Sequence, residues 1–178
     1  MEDKDLLQLY QQGNCNYAFN LLVEKYKQPL YHHIRRMVIS HDDTDDILQS
    51  TFIKVWQNMG NFREESKLYT WIYRIATNET ISFLRRKKMQ NILSFESVEK
   101  NLRNKLVSDP TIAGDEMQIK LQKAILSLPE KQRIIFSMRY YDEMKYEEMA
   151  EILHTSTGAL KASFHIAVKK IELFLKSD

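Results

Sequence analysis

MKYEEMAEILHTSTGALKASFHIAVKKIELFL, residues 144–175, decides how the chain is read. The step between Met149, Ala150 and Leu153 predicts a short helix from about Tyr146, with these three residues on its inner side. His154-Thr155-Ser156 reverses the chain, and a second helix follows that buries Leu160, Phe164, Ala167 and Ile171. Small Ala150 suits a close helix crossing. This is a helix-turn-helix pattern, in which the second helix offers its N-terminal turn to the major groove of duplex DNA. With Leu160 pointing inward, the 100° step puts Lys161, Ala162, His165 and Lys169 outward. Ser156 and Thr157 fall at the helix start, where hydroxyls and open amides bind phosphate. Lys161 and His165 are the candidates for base edges. At the turn, where Gly is usual, stands His154, a residue that enters the left-handed region more readily than branched ones. Periodicity alone leaves a second reading open, because any helical hairpin has a short turn and a solvated cationic face.

A second stretch narrows the choice. FREESKLYTWIYRIATNETISFLRRKK, residues 62–88, sets Tyr69, Trp71 and Tyr73 between Arg63 and Arg74 and ends on Arg85, Arg86, Lys87 and Lys88. Rings beside cations suit unpaired bases: each base stacked on a ring contributes about 1–3 kcal/mol, while Lys and Arg follow the phosphates. Duplex DNA hides its base faces, so the pattern suggests opening or single-stranded DNA. Asn78 is placed to hydrogen-bond an extruded base, and the four terminal cations to hold backbone. Ile72 and Tyr73 are expected in the core, so only some of the rings are readers.

Charge supports this division. The formal net charge is +2, but residues 1–60 carry six Lys and Arg against eight Asp and Glu, and residues 61–90 carry seven against three. A local basic field beside an acidic neighbour suits nucleic acid on one face and a protein partner on another. With 178 residues, 4 Gly and 3 Pro, the chain has few breakers, which favours long helices. No apolar run approaches the roughly 20 residues of a membrane helix and the first residues are acidic and polar, so a cytoplasmic protein without stable membrane insertion is expected. Cys15 is the sole cysteine, which excludes an intrachain disulfide and CxxC metal sites. No metal or cofactor is expected.

Upstream, Leu6, Leu9 and Tyr10, then Phe19, Leu22, Val23, Tyr26, Leu30, Ile34 and Met37 predict amphipathic helices broken near Gly13 and Asn14 and bent or restarted near Pro29. In HDDTDDILQSTFIKVWQNMGNF, residues 41–62, Asp42 or Asp43 is expected to cap a helix that ends at Gly60, with Ile47, Leu48, Thr51, Phe52 and Val55 on one face. Ser66 or Thr70 is expected to cap the next helix, whose inner face is Ile72, Ile75, Ala76, Ile81, Phe83 and Leu84. Residues 90–116 lose their period and gain Ser, Asn, Asp109-Pro110 and Gly114, as a linker does. Periodicity resumes at Met117, Leu121, Ile125 and Leu128, stops at Pro129 and restarts through Ile134, Ile135 and Met138. The expected fold is all-α: helical domains at residues 5–90 and 115–176, the second a helix-turn-helix, joined by a flexible linker at 91–114.

These elements, in this order, resemble the sigma factors of bacterial RNA polymerase, in particular the small extracytoplasmic-function group. DDTDDILQSTFIKVW is similar to the family's polymerase-binding helix and residues 62–88 to its promoter-melting and minus-ten segment. LPEKQRIIFSMRYYDEMKYEEMAEIL with TGALKASFHIAVKK is similar to its minus-thirty-five reader. The resemblance implies contacts to core polymerase from Asp46, Gln49, Phe52 and Trp56, with core packing favoured for Phe52 and Ser50 standing where Glu is usual. It implies contacts to the melted non-template strand of promoter DNA from Arg63, Ser66, Tyr69, Trp71, Arg74, Asn78, Arg85 and Arg86. Contacts to minus-thirty-five duplex are implied from Ser156, Thr157, Gly158, Lys161, Ala162, His165 and Lys169. An anti-sigma factor is an expected partner. Ser163 and Ile166 replace commonly basic positions and Lys145 the usual Ser cap, so shape readout is expected to supplement sparse base contacts. Two other classes compete. A stand-alone helix-turn-helix repressor accounts for the last third but not the aromatic-cationic segment. An enzyme has only His32-His33 to offer, and adjacent helix residues diverge by about 100°, a poor start for a metal site.

Overall fold

The computed structural model describes residues 1–38, 40–90 and 116–177. Helices account for the regular structure among them: α1 (Asp3–Gln11), α2 (Cys15–Val38), α3 (His41–Asn58), a single 3-10 turn (Met59–Asn61), α4 (Leu68–Gln90), α5 (Glu116–Leu126), α6 (Glu130–Tyr140), α7 (Tyr146–Leu153) and α8 (Thr157–Lys176). By internal contacts the chain divides into two compact units, Met1–Phe83 and Leu84–Asp178. The expected linker, residues 91–114, lies outside the described residues.

In the first unit, α1 ends where Gly13 adopts a φ of +90°, a conformation that only glycine reaches without strain. α1 is tied to α2 by Asp3, which accepts from the Tyr26 hydroxyl at 2.8 Å and pairs with Lys25 at 2.7 Å. Burial, reinforced by that hydrogen bond and the Asp3 charge, pushes the Tyr26 hydroxyl well above the ordinary tyrosine range. α2 does not restart at Pro29; it runs through it. An interior proline costs about 3 kcal/mol, and the buried Tyr26, Leu30, Ile34 and Met37 on either side offset it at about 1.5–3 kcal/mol per side chain.

α3 is capped by Ser40, not by Asp42 or Asp43: the Ser40 hydroxyl accepts from the Asp43 amide at 3.4 Å, and both aspartates sit in the first turn. There they favour the positive helix end. Gly60 falls inside the 3-10 turn that follows α3.

The inner face of α4 also differs from the expected one. Leu68, Ile72, Tyr73 and Ala76 are buried, joined by Thr70, Thr77 and Thr80, whereas Ile75, Ile81, Phe83 and Leu84 are only half-buried. A buried threonine is tolerated when its hydroxyl is satisfied. Thr80 donates to the Ala76 carbonyl at 2.8 Å, and Thr77 meets Nε2 of buried His33 on α2 at 2.9 Å. Helix α4 begins at Leu68, so Thr70 lies in its first turn rather than before it.

In the second unit, α5, α6 and α8 share a core of Ala124, Ile125, Leu128, Phe136, Ala167 and Ile171. Phe136 stacks on Phe164 with centroids 5.8 Å apart. Met117, expected on the inner side of α5, is exposed at its first turn.

Candidate nucleic-acid interface

α7 and α8 form the helix-turn-helix. At the start of α7, the Lys145 amide donates to the Glu148 carboxylate at 3.2 Å, the half of a capping box that satisfies the cap residue's own amide; a Ser side chain would instead accept from the amides of the first turn, which Lys145 cannot do. The helix buries Met149 and Ile152; Ala150 and Leu153, expected inside, are half-buried. The chain turns through His154 in the left-handed region (φ 50°, ψ 46°). Ser156 then caps α8, its hydroxyl accepting from the Ala159 amide at 3.3 Å. That bond holds the hydroxyl at the helix start, where it would compete with a phosphate for the same group.

Inside α8, Leu160, Ala167 and Ile171 are buried and Phe164 is packed on the core cluster. Fixing that side turns Gly158, Lys161, Ala162, His165 and Lys169 to solvent, all five exposed, with Ser156 exposed and Thr157 half-buried at the entrance. A Cβ added to Gly158 would meet nothing within 4 Å, so the fold itself does not demand glycine there. Lys161 Nζ lies 5.7 Å from the ring centroid of Tyr146.

The residues proposed for the melted strand do not form one patch. Along α4, Trp71, Arg74, Asn78 and Arg85 recur at helical steps and share a face; the first two are half-buried and the last two exposed. Arg86, exposed, flanks that row. Tyr69 points the other way: two residues from Trp71 is about 200° of rotation, and its ring lies 4.3 Å from that of buried Tyr73. Trp71 is partly covered by Phe62, centroids 5.0 Å apart at 45°. Phe62 begins the loop that carries exposed Arg63 and half-buried Ser66. Glu64 in this loop takes a φ of +56°, and its carboxylate accepts from Gln11 Nε2 at 3.4 Å. Glu79, beside Asn78, is ion-paired with Lys54 of α3.

On α3, Asp46, Gln49 and Trp56 are exposed along one row, while Phe52 is half-buried with its ring edge-on to Phe19 at 6.4 Å. Trp56 leans on the same Phe19 at 4.9 Å. Sequence reasoning missed Ile53, 51% exposed between Gln49 and Trp56. Its position four residues beyond Gln49 was the signal, since an apolar residue on a polar row marks a contact surface. His33 is buried against Thr77 and edge-on to Tyr73 at 4.9 Å. Among the described residues, no group of three or more His, Cys, Asp or Glu is placed to hold a metal ion, and no helix is long and apolar enough to cross a membrane.

Comparison with known proteins identifies the family and the fold. Residues 22–89 match the model of sigma-70 region 2 and residues 118–171 that of sigma-70 region 4. The chain is 33% identical over 156 residues to the ECF RNA polymerase sigma factor SigW of Bacillus subtilis, covering 83% of each chain. It is 31% identical over 180 residues to the ECF RNA polymerase sigma-E factor of Haemophilus influenzae, covering 97% of this chain and 94% of that one. In fold it is similar to CnrH, solved with the cytosolic domain of CnrY, with a TM-score of 0.72 at 21% identity over 99% of this chain and 98% of that one. It is also similar to the sigma factor RpoE of Bartonella quintana, solved with the anti-sigma factor NepR, with a TM-score of 0.69 at 21% identity over 90% and 98%. The chain belongs to the extracytoplasmic-function group of the sigma-70 family, whose members are factors for promoter-specific transcription initiation rather than enzymes.

Proposed function

We propose that this sigma factor reads a promoter at two places and opens it at one. Residues 115–176 anchor on minus-thirty-five duplex through the exposed N-terminal half of α8. Ser156, Thr157 and Gly158 approach phosphate; Lys161, Ala162 and His165 face base edges; Lys169 extends the phosphate contact. Residues 5–90 bind core polymerase through the α3 row of Asp46, Gln49, Ile53 and Trp56, with Phe52 supporting it from the core. The same module captures the melted minus-ten non-template strand through Arg63, Ser66, Trp71, Arg74, Asn78, Arg85 and Arg86, while Tyr69 acts through Tyr73 on the inner side. Unstacking a base costs a few kcal/mol, so a factor that holds the extruded base favours the open promoter.

The observation that carries this reading is the outward row of α8, five exposed positions opposite three buried ones on the second helix of a helix-turn-helix. The half-buried Trp71 above exposed Asn78 and Arg85 supports the second reading site. An anti-sigma factor is proposed as the inhibitory partner, because RpoE of Bartonella quintana, similar in fold, was solved with the anti-sigma factor NepR. A pre-melted template tests the division of labour. With core polymerase, a minus-ten bubble should restore transcription by Trp71→Ala/Asn78→Ala but not by Lys161→Ala/His165→Ala. Equal rescue of both variants would refute two separate reading sites.

A further inference from the structure

Lys161, the cation proposed above to face a base edge, is not an isolated surface lysine. Its ammonium lies 5.7 Å from the centroid of the Tyr146 ring, at the first position of α7. The same ring has the Arg139 guanidinium 5.2 Å from its centroid. Arg139 is itself anchored, because Nη1 donates to the Met144 carbonyl at 2.8 Å, two residues before Tyr146. The end of α6, the start of α7 and the outward side of α8 therefore meet at one half-buried aromatic ring. A ring quadrupole attracts a cation held over its face. Here it offsets the repulsion between two cations drawn to the same place.

We infer that Tyr146 is a positioning residue for promoter recognition: its ring selects the side-chain conformation in which Lys161 meets the minus-thirty-five element, without touching DNA itself. A lysine stem has several rotors to immobilise on binding, and a ring that already favours one orientation lessens that loss. An exposed cation–π contact corresponds to about a two- to five-fold bias in population. The effect is on selectivity, since only a lysine held in one orientation distinguishes the intended base edge from its neighbours.

This inference rests on the proposed role of Lys161, and the test separates the two. Holoenzyme assembled from core polymerase and the full-length chain is assayed on a promoter found by start-site mapping, with its minus-thirty-five block intact or scrambled. The ratio of the two transcription rates is the readout. Lys161→Ala should lower it by about fivefold or more. Tyr146→Leu should lower it by about two- to five-fold, Tyr146→Phe should leave it unchanged, and Tyr146→Leu should add nothing in the Lys161→Ala background. Thermal melts of each variant show whether the fold persists. If Lys161→Ala leaves the ratio intact, the role of Lys161 falls and the positioning role with it. If Lys161→Ala lowers the ratio but Tyr146→Leu costs the same in both backgrounds, or Tyr146→Phe is as damaging as Tyr146→Leu, only the positioning role is overturned.

Discussion

Thr77→Val and Thr80→Val are the same chemical change one helical turn apart, and the structure gives them different costs. Both threonines are fully buried on α4. Thr80 bonds within its own helix, to the Ala76 carbonyl; that carbonyl is the regular acceptor of the Thr80 amide, so losing the hydroxyl strands nothing. Thr77 instead meets Nε2 of His33, 1% exposed on α2. Valine there leaves a buried ring nitrogen without its partner, whichever tautomer the ring adopts. A stranded buried polar group costs about 1–3 kcal/mol, against under about 1 kcal/mol for the Thr80 change. With a slope of about 1–3 kcal/mol per molar urea, Thr77→Val should lower the unfolding midpoint of the first unit by roughly 1 M. Both tryptophans, Trp56 and Trp71, lie in that unit, so tryptophan fluorescence of the full chain follows it selectively. Equal midpoints for Thr77→Val and Thr80→Val would refute the view that His33 and Thr77 lock α4 to α2.

Three further outcomes are expected. Trp71→Ala should reduce open-promoter formation by the value of one stacked base, about 1–3 kcal/mol, while Tyr69→Phe should leave it unchanged; permanganate reactivity of promoter thymines reads both. Ile53→Ala and Trp56→Ala should each weaken binding to core polymerase, Trp56→Ala by about 2 kcal/mol as an aromatic anchor does, measured by competition with a labelled sigma factor. The raised Tyr26 hydroxyl gives an alkaline dependence. The folded chain keeps that proton when the unfolded chain has released it, so stability from Tyr26 is intact below about pH 10 and is lost as pH climbs above it, by at most about 1.4 kcal/mol per pH unit. Tyr26→Phe should lessen the fall in urea midpoint between pH 9 and 11, and an unchanged slope would contradict the burial of that hydroxyl.

Periodicity located helices well where their inner faces are aliphatic. Leu22, Leu30 and Ile34 on α2, and Leu160, Ala167 and Ile171 on α8, are buried as their spacing predicts. On α4 it was right for Ile72, Tyr73 and Ala76, which are buried, and wrong for Ile75, Ile81, Phe83 and Leu84, because hydropathy does not count threonines such as Thr77 and Thr80, whose hydroxyls are satisfied inside the core. Once Leu160 is known to face inward, the helical step alone turns Lys161, Ala162, His165 and Lys169 outward, so the candidate recognition face of α8 was legible. The aromatic-cationic segment was less so. Nearness in sequence grouped Tyr69 with Trp71, whereas a helix sets them on opposite sides. The cover that Phe62 makes over Trp71 depends on loop geometry around the left-handed Glu64, which no period encodes. Pro29 shows the converse: of the bend or restart expected there, the restart does not occur, because burial on both sides overrides a local breaker.

The central claim is that this chain makes core polymerase start at promoters carrying two separate elements. It is tested most directly by mapping transcription starts on genomic DNA with purified core polymerase, with and without the protein. The account predicts new starts sharing two upstream sequence blocks, lost with Asp46→Ala/Gln49→Ala and, on this duplex DNA, with Trp71→Ala/Asn78→Ala. No new starts, together with tight binding of the protein by itself to a palindromic duplex, would contradict it.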